Sequence, residues 1–224
     1  DYVSGYNLNQ LFAGSEGTLC LFASVTMRMH PAGIIKPIAY EFENYLGDAN
    51  AAIQAIVAHP SLRPYHISWS DSNHFANQRR AHVHAPNVKN IILITLQGDE
   101  KHVALEEAAA DEIFAANGGK KVEDPSVGPH EWEERCYEFR ARKVGVGEIP
   151  AEVITPTNVW GAFIDECYKG FDTMKMELGG VIGEVVDRNT SLFMPYYFKD
   201  DESLLGMTAF AFNFYLGDRA VEYG

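Results

Sequence analysis

The sequence predicts an α+β fold, an antiparallel sheet with helices on one face, built from duplicated ferredoxin-like units. Three observations predict it. Strand-like and helix-like segments alternate along the 224 residues with short turns between them. Two strand-like runs, "KMELGGVIGEVVD" and "TSLFMPYYFKD", flank the turn "DRNT" and read as a hairpin, which pairs strands antiparallel. No strand runs into a G-x-G-x-x-G turn, which argues against a doubly wound parallel sheet.

Taken in order, "TLCLFASVTMRMHP" alternates apolar residues through Leu21, Ala23, Val25, Met27 and Met29 and predicts a strand ending at Pro31. "IIKPIAYEFEN" predicts a second strand, which Pro37 assigns to an edge or a bulge. "GDANAAIQAIVAHP" predicts a helix capped by Asp48 and closed by Pro60. "RPYHISWSD" predicts a strand, and "SNHFANQRRAHV" a short helix with Ser72 as its cap. "NIILITLQG" is apolar enough for a fully buried strand. "DEKHVALEEAAADEIFAANGG" predicts a helix with acids in its first turn and a Gly-Gly stop, and "KKVED" a short strand after it.

"PHEWEERCYEFRARK" predicts one charged amphipathic helix with an apolar stripe of Trp132, Cys136 and Phe139. "KVGVGE", Lys143 to Glu148, is the expected joint between two lobes. "EIPAEVITP" predicts a strand and "TNVWGAFIDECYKGF" a helix capped by Thr157 or Asn158. The hairpin follows, and "DESLLGMTAFAFNFYLGDRAVEY" predicts a last helix starting at Asp200 or Asp201.

Composition bounds the function. With 46% hydrophobic and 22% charged residues, the chain reads as a globular protein able to bury a core. A net charge of −13 without a basic block argues against nucleic acid and against an anionic membrane surface. Cys20, Cys136 and Cys167 are odd in number, widely spaced and free of any C-x-x-C pair, so reduced thiols and a cytoplasmic setting are expected. No signal peptide and no apolar run of 18 residues is present. The chain opens at "DYVSG" without Met and stops at "AVEYG" within a helical pattern, so both ends read as cut.

The stretch "LFAGSEGTLCLF" carries the most specific signal. Gly14, Ser15, Glu16, Gly17, Thr18 and Leu19 resemble the turn at the end of the flavin domain in FAD-linked oxidases of the PCMH type (vanillyl-alcohol-oxidase-like), and most the D-lactate and glycolate dehydrogenase branch. A plain helix-to-strand turn needs only one glycine, whereas glycines also let a backbone approach a planar cofactor. The family's next glycine is Cys20 here, which places a Cβ where the backbone passes. The resemblance implies FAD as cofactor, with residues 14–19 as cofactor-binding. It also implies residues 1–32 as the tail of a FAD-binding domain, and 33–224 as a C-terminal cap domain that supplies substrate specificity.

The same resemblance places a substrate-binding arginine in "YEFRARK": Arg142 by register, with Arg140 as the second candidate. A guanidinium can grip the carboxylate of a 2-hydroxy acid bidentately. The competing reading is a solvated helix face beside Glu133, Glu134 and Arg135. The family's His-x-Gly-Asp-Gly-Asn-x-His metal stretch falls on "GEVVDRNTS", where Asp187 and Asn189 match but the histidines are Glu184 and Ser191. No metal is therefore expected, and an Asp-Arg-Asn-Thr turn explains the residues. The family's general-base Glu-His pair would follow Gly224, so no catalytic residue is assigned within the chain.

His74, His82 and His84 are close in sequence, but packing or surface histidines are the commoner case. The Tyr/Phe cluster in "FMPYYF" and "FAFNFYL" reads as core rather than as an aromatic pocket. The resemblance thus implies a fragment of a FAD-dependent oxidoreductase of D-lactate, glycolate or a similar acid, inactive alone and holding flavin weakly. Quinone, cytochrome or oxygen would accept the electrons, a homodimer is compatible with such a module, and any membrane docking would come through other parts. The alternatives are a non-catalytic binding or dimerisation module, and an aromatic-alcohol oxidase of the same superfamily.

Overall fold

The computed structural model describes residues 5–29, 31–136, 138–145, 147–198 and 207–224. The chain divides into two compact units, Asp1–Pro31 and Ala32–Gly224. In the first, helix α1 (Leu8–Phe12) is capped by the Asn7 side chain, which accepts from the Asn9 N–H at 3.2 Å. The glycine turn follows it. The strand expected after that turn is not formed: described residues between 19 and 29 lie outside any ladder. Alternation alone does not make a strand, because its hydrogen bonds must come from a neighbour. Leu21 and Met29 are 95% and 86% exposed.

The second unit is one eight-stranded antiparallel sheet. Its elements are β1 (Ile34–Phe42), α2 (Asn50–Ala58), β2 (His66–Ser70), α3 (Ser72–Arg80), β3 (Asn90–Gly98), α4 (Glu100–Ala116) and β4 (Lys120–Lys121). After these come α5 (Val127–Glu134), β5 (Glu148–Pro150), β6 (Val153–Pro156), α6 (Trp160–Met174), β7 (Gly180–Val185), β8 (Thr190–Phe198) and α7 (Met207–Tyr223). The strand order is β4-β1-β3-β2-β7-β8-β5, with β6 also paired to β8. The first repeat gives β4-β1-β3-β2 and the second β6-β8-β7, with α6 and α7 placed as α2 and α4 are. The repeats join where β2 pairs β7, with Trp69 opposite Gly183. The two lobes expected on either side of residues 143–148 form one unit, and β5, which begins at Glu148, pairs β8 in the same sheet.

Period-two alternation sorts the strands into two faces. Tyr40, Trp69, Ile92, Ile94 and Phe193 enter the main core under α2, α4, α6 and α7. Ala39, Ile91 and Leu93 face the other way, where Phe75 of α3 and Val127 of α5 cover them. Helices thus lie on both faces, where the sequence predicts one. The polar composition of "SNHFANQ" conceals the burial of α3, whose His74, Phe75, Asn77 and Gln78 are all buried.

Pro37 sits opposite Thr95 of β3, while β4 reaches only Tyr40 and Glu41, so the ring occupies an edge-like stretch of β1. There α5 comes close enough to require glycine: a methyl group on Gly128 would lie 2.5 Å from the Pro37 carbonyl oxygen. Gly128→Val is expected to lower stability by about 2 kcal/mol, read as a reduced urea midpoint at unchanged slope.

Several helix starts differ from the sequence expectation. A π-helical turn, Tyr45–Ala49, precedes α2, and Asn44 rather than Asp48 caps it by accepting from the Gly47 N–H at 3.0 Å. Asp71 rather than Ser72 caps α3. Neither Thr157 nor Asn158 caps α6: the Thr157 hydroxyl lies 3.0 Å from the Ser191 hydroxyl, and Asn50 Oδ1 instead accepts the Gly161 N–H at 3.0 Å. The expected cap at Asp200 or Asp201 falls outside the described residues. The helix predicted from Pro129 to Lys143 is broken: α5 ends at Glu134, and a 3₁₀ turn, Glu138–Ala141, follows. Cys136 is exposed rather than part of a buried stripe.

Candidate functional site

The sheet face opposite the main core carries a cavity of about 70 Å³, the space of a few water molecules. Its floor is Ser68 and Ser70 of β2, Leu93 of β3 and Met194 of β8; its rim is His74, Glu131 and Arg140. The break after α5 makes this site. The 3₁₀ turn carries Arg140 inward, and its side chain ends only 6% exposed. Its Nη2 donates to Glu131 Oε2 at 3.2 Å. Its Nε and Nη1 are buried without a hydrogen-bond partner, as is Glu131 Oε1. A buried guanidinium with free donors is a ready site for an anionic group.

Arg142, the arginine favoured by register, is exposed. Its nearby charge opposes the burial that pushes the Glu148 carboxyl up to about 7. Ile149 packs against the main core, so Glu148 beside it lies on the cavity side of the sheet by alternation. Of the two arginine candidates, the cavity therefore holds Arg140 alone.

Two side chains beside Arg140 carry no functional assignment from the sequence. His74 Nδ1 lies 3.0 Å from the Tyr196 hydroxyl, and the Gln78 amide lies 2.6 Å from its Nε2. Burial, helped by the Arg140 charge, depresses the imidazole to about 3, so His74 is neutral at ordinary pH. Burial likewise pushes the Tyr196 phenol far above its usual range. Alternation holds a signal for Tyr196: Phe193 and Tyr197 enter the core, so Tyr196, out of phase with both, faces α3. Below His74, Asp71 Oδ1 accepts its backbone N–H at 2.7 Å and Oδ2 accepts the Tyr168 hydroxyl at 2.7 Å.

The other candidates are engaged elsewhere. Glu184 pairs with His66 at 3.0 Å, and Asp187 Oδ1 accepts the N–H groups of Asn189 and Thr190, both at 2.7 Å, which makes the hairpin turn. His82 takes a left-handed conformation, φ 58°, and His84 packs edge-on against His130. Among the described residues, no group of three or more His, Cys, Asp or Glu side chains is set to hold a metal ion. Nor is any helix there long and apolar enough to cross a membrane.

In the first unit, Gly14, Glu16 and Gly17 all have positive φ, at 79°, 46° and 77°. The Thr18 hydroxyl donates to the Ser15 carbonyl at 2.6 Å, and Leu19 is half exposed. The glycines are required by conformation rather than by crowding, since a methyl group on either would meet nothing described within 4 Å. The Ser15 hydroxyl is buried without a partner. Open backbone beside an unsatisfied hydroxyl fits a planar, polar-edged cofactor such as FAD.

No family model matches the chain. Solved structures do. Alkyldihydroxyacetonephosphate synthase superposes with a TM-score of 0.70 at 15% identity, over 99% of this chain and 46% of that one. p-Cresol methylhydroxylase with substrate bound gives 0.64 at 12%, over 85% and 44%. 4-Ethylphenol oxidase from Gulosibacter chungangensis, in complex with isoeugenol, gives 0.65 at 8%, over 88% and 46%. The chain thus spans about half the length of each. At these identities the likeness shows the fold: the chain shares the α+β fold of the matched part of each of these proteins.

Proposed function

We propose that the chain is the substrate-side domain of a FAD-dependent oxidoreductase that oxidises a small 2-hydroxy acid such as D-lactate or glycolate. One observation carries the reading: Arg140 is buried in a small cavity with two nitrogens unpaired. These would bind the substrate carboxylate and leave the carbinol carbon toward the open side. Leu93 and Met194 exclude water around it. Neutral His74 adds no competing charge. FAD, bordered by residues 14–19, would supply hydride acceptance when bound. The cavity suits a substrate of few atoms.

A second reading, oxidation of an aromatic alcohol, is favoured by the names of two structural neighbours, a p-cresol and a 4-ethylphenol enzyme. Against it, Phe193 and Tyr197 are buried in the core, away from the cavity.

The test is the visible spectrum of the full-length protein before and after anaerobic addition of D-lactate, glycolate, p-cresol and benzyl alcohol. Bleaching of a flavin band by a 2-hydroxy acid supports the first reading. Bleaching only by the aromatics supports the second, and no flavin band overturns both. Arg140→Lys is expected to raise KM for the acid about tenfold or more, because an ammonium does not reproduce the planar fork.

A further inference from the structure

We propose that Glu131 is a specificity-determining residue that restricts the Arg140 cavity to ligands with a single negative charge. The inference rests on the reading of Arg140 as the anion-binding residue and deepens it. Glu131 accepts from Arg140 Nη2 at 3.2 Å, and both side chains are 6% exposed. The guanidinium's formal charge is therefore already matched by one carboxylate before any ligand enters, yet Nε and Nη1 stay unpaired. One anionic group can take those donors.

Among the described residues of the wall, a second negative charge finds no cation free of other partners. The cavity wall has two guanidiniums, Arg135 and Arg140, against three carboxylates, Glu131, Glu134 and Glu184. Arg135 is engaged outside the cavity floor: its guanidinium lies 3.6 Å from the Trp132 ring centroid and donates to the Trp132 carbonyl. Glu184 is paired with His66. Formal charge on the wall is thus already one unit negative. A dianion would face that excess at short range with little water to screen it. A monocarboxylate fits this balance; a phosphate monoester, a sulfate or a dicarboxylate does not.

The test compares glycolate with sulfate, which match in number of non-hydrogen atoms and differ in charge. Binding to the full-length protein is measured by calorimetry at pH 8 and fixed ionic strength. The wild type is expected to bind glycolate at least about tenfold more tightly than sulfate, and Glu131→Gln to shrink that ratio about tenfold or invert it. A wild-type preference for sulfate overturns the proposal without any variant. An unchanged ratio in a Glu131→Gln protein whose thermal melt shows it folded also overturns it. Arg140→Gln separates the two levels of argument. If it abolishes binding while Glu131→Gln leaves the ratio alone, only the role of Glu131 falls. If Arg140→Gln retains both ions, or the wild type binds neither, the Arg140 reading falls with it.

Discussion

Arg140→Met is expected to destabilise the fold by about 3 kcal/mol, because it leaves Glu131 as a buried carboxylate without its cation. The size follows from asymmetry. A buried pair adds little net stability, since two desolvation penalties offset its attraction. Removing one member leaves one penalty with nothing against it. Glu131 is badly placed to escape to water: its Oε1 is already buried without a hydrogen bond, and His130 Nε2 is 3.7 Å away. The double variant Arg140→Met with Glu131→Leu is expected to recover most of the loss, since both charges are then gone and similar volume remains. Urea unfolding of the wild type, Arg140→Met, Glu131→Leu and the double variant checks this. A double variant as unstable as the single one would show that the loss does not come from an unpaired Glu131 charge.

That pair also shows where the sequence stops being legible. Local pattern suffices where an element's hydrogen bonds and apolar phase are set within itself. The run "NIILITLQG" is β3, Asn90–Gly98, to the residue, and α4 runs from the acids after Asp99 to the Gly-Gly stop. The α+β class and the paired repeats follow from such runs. Residues 129–143 defeat the method because their amphipathic pattern continues past Glu134 while the helix does not. Register with the resembled family favours Arg142; the 3₁₀ turn, with its tighter repeat, instead brings Arg140 under α3 and leaves Arg142 in solvent. Residues 19–29 fail for a different reason, since a strand is defined by its partner. Helix α3 is found where the sequence predicts it, but its burial is not, because its buried side is polar and hydrophobicity cannot find a buried histidine held by a tyrosine and a glutamine. The missed residues are the ones that make the cavity chemically specific, which is where local rules and tertiary function part.

Single substitutions at Asp71 and His74 are expected to tilt the dependence of stability on pH in opposite directions, by about 1 kcal/mol per pH unit each. Burial raises the Asp71 carboxyl from 3.8 to about 6, against the pull of its hydrogen bonds from Tyr168 and the His74 backbone. The native state thus holds this proton more tightly than the unfolded chain. The contribution is complete below pH 3.8 and is lost as pH rises to about 6. Burial lowers His74 from 6.5 to about 3, so here the unfolded chain binds the proton more tightly. That contribution is complete above pH 6.5 and is lost as pH falls toward 3. Between about pH 4 and pH 6 the two slopes cancel in the wild type. His74→Gln leaves Asp71 unopposed, so the variant loses stability relative to wild type as pH rises across that window. Asp71→Asn retains an oxygen for the α3 cap, leaves His74 unopposed, and gains relative stability over the same rise. Chemical unfolding of the three proteins at half-unit steps reads the slopes directly, and parallel curves would mean that neither group keeps its buried, shifted state in solution. His74, on the rim of the cavity, is therefore neutral across that window, while the Asp71 cap beneath it gains or loses its proton near the window's upper end.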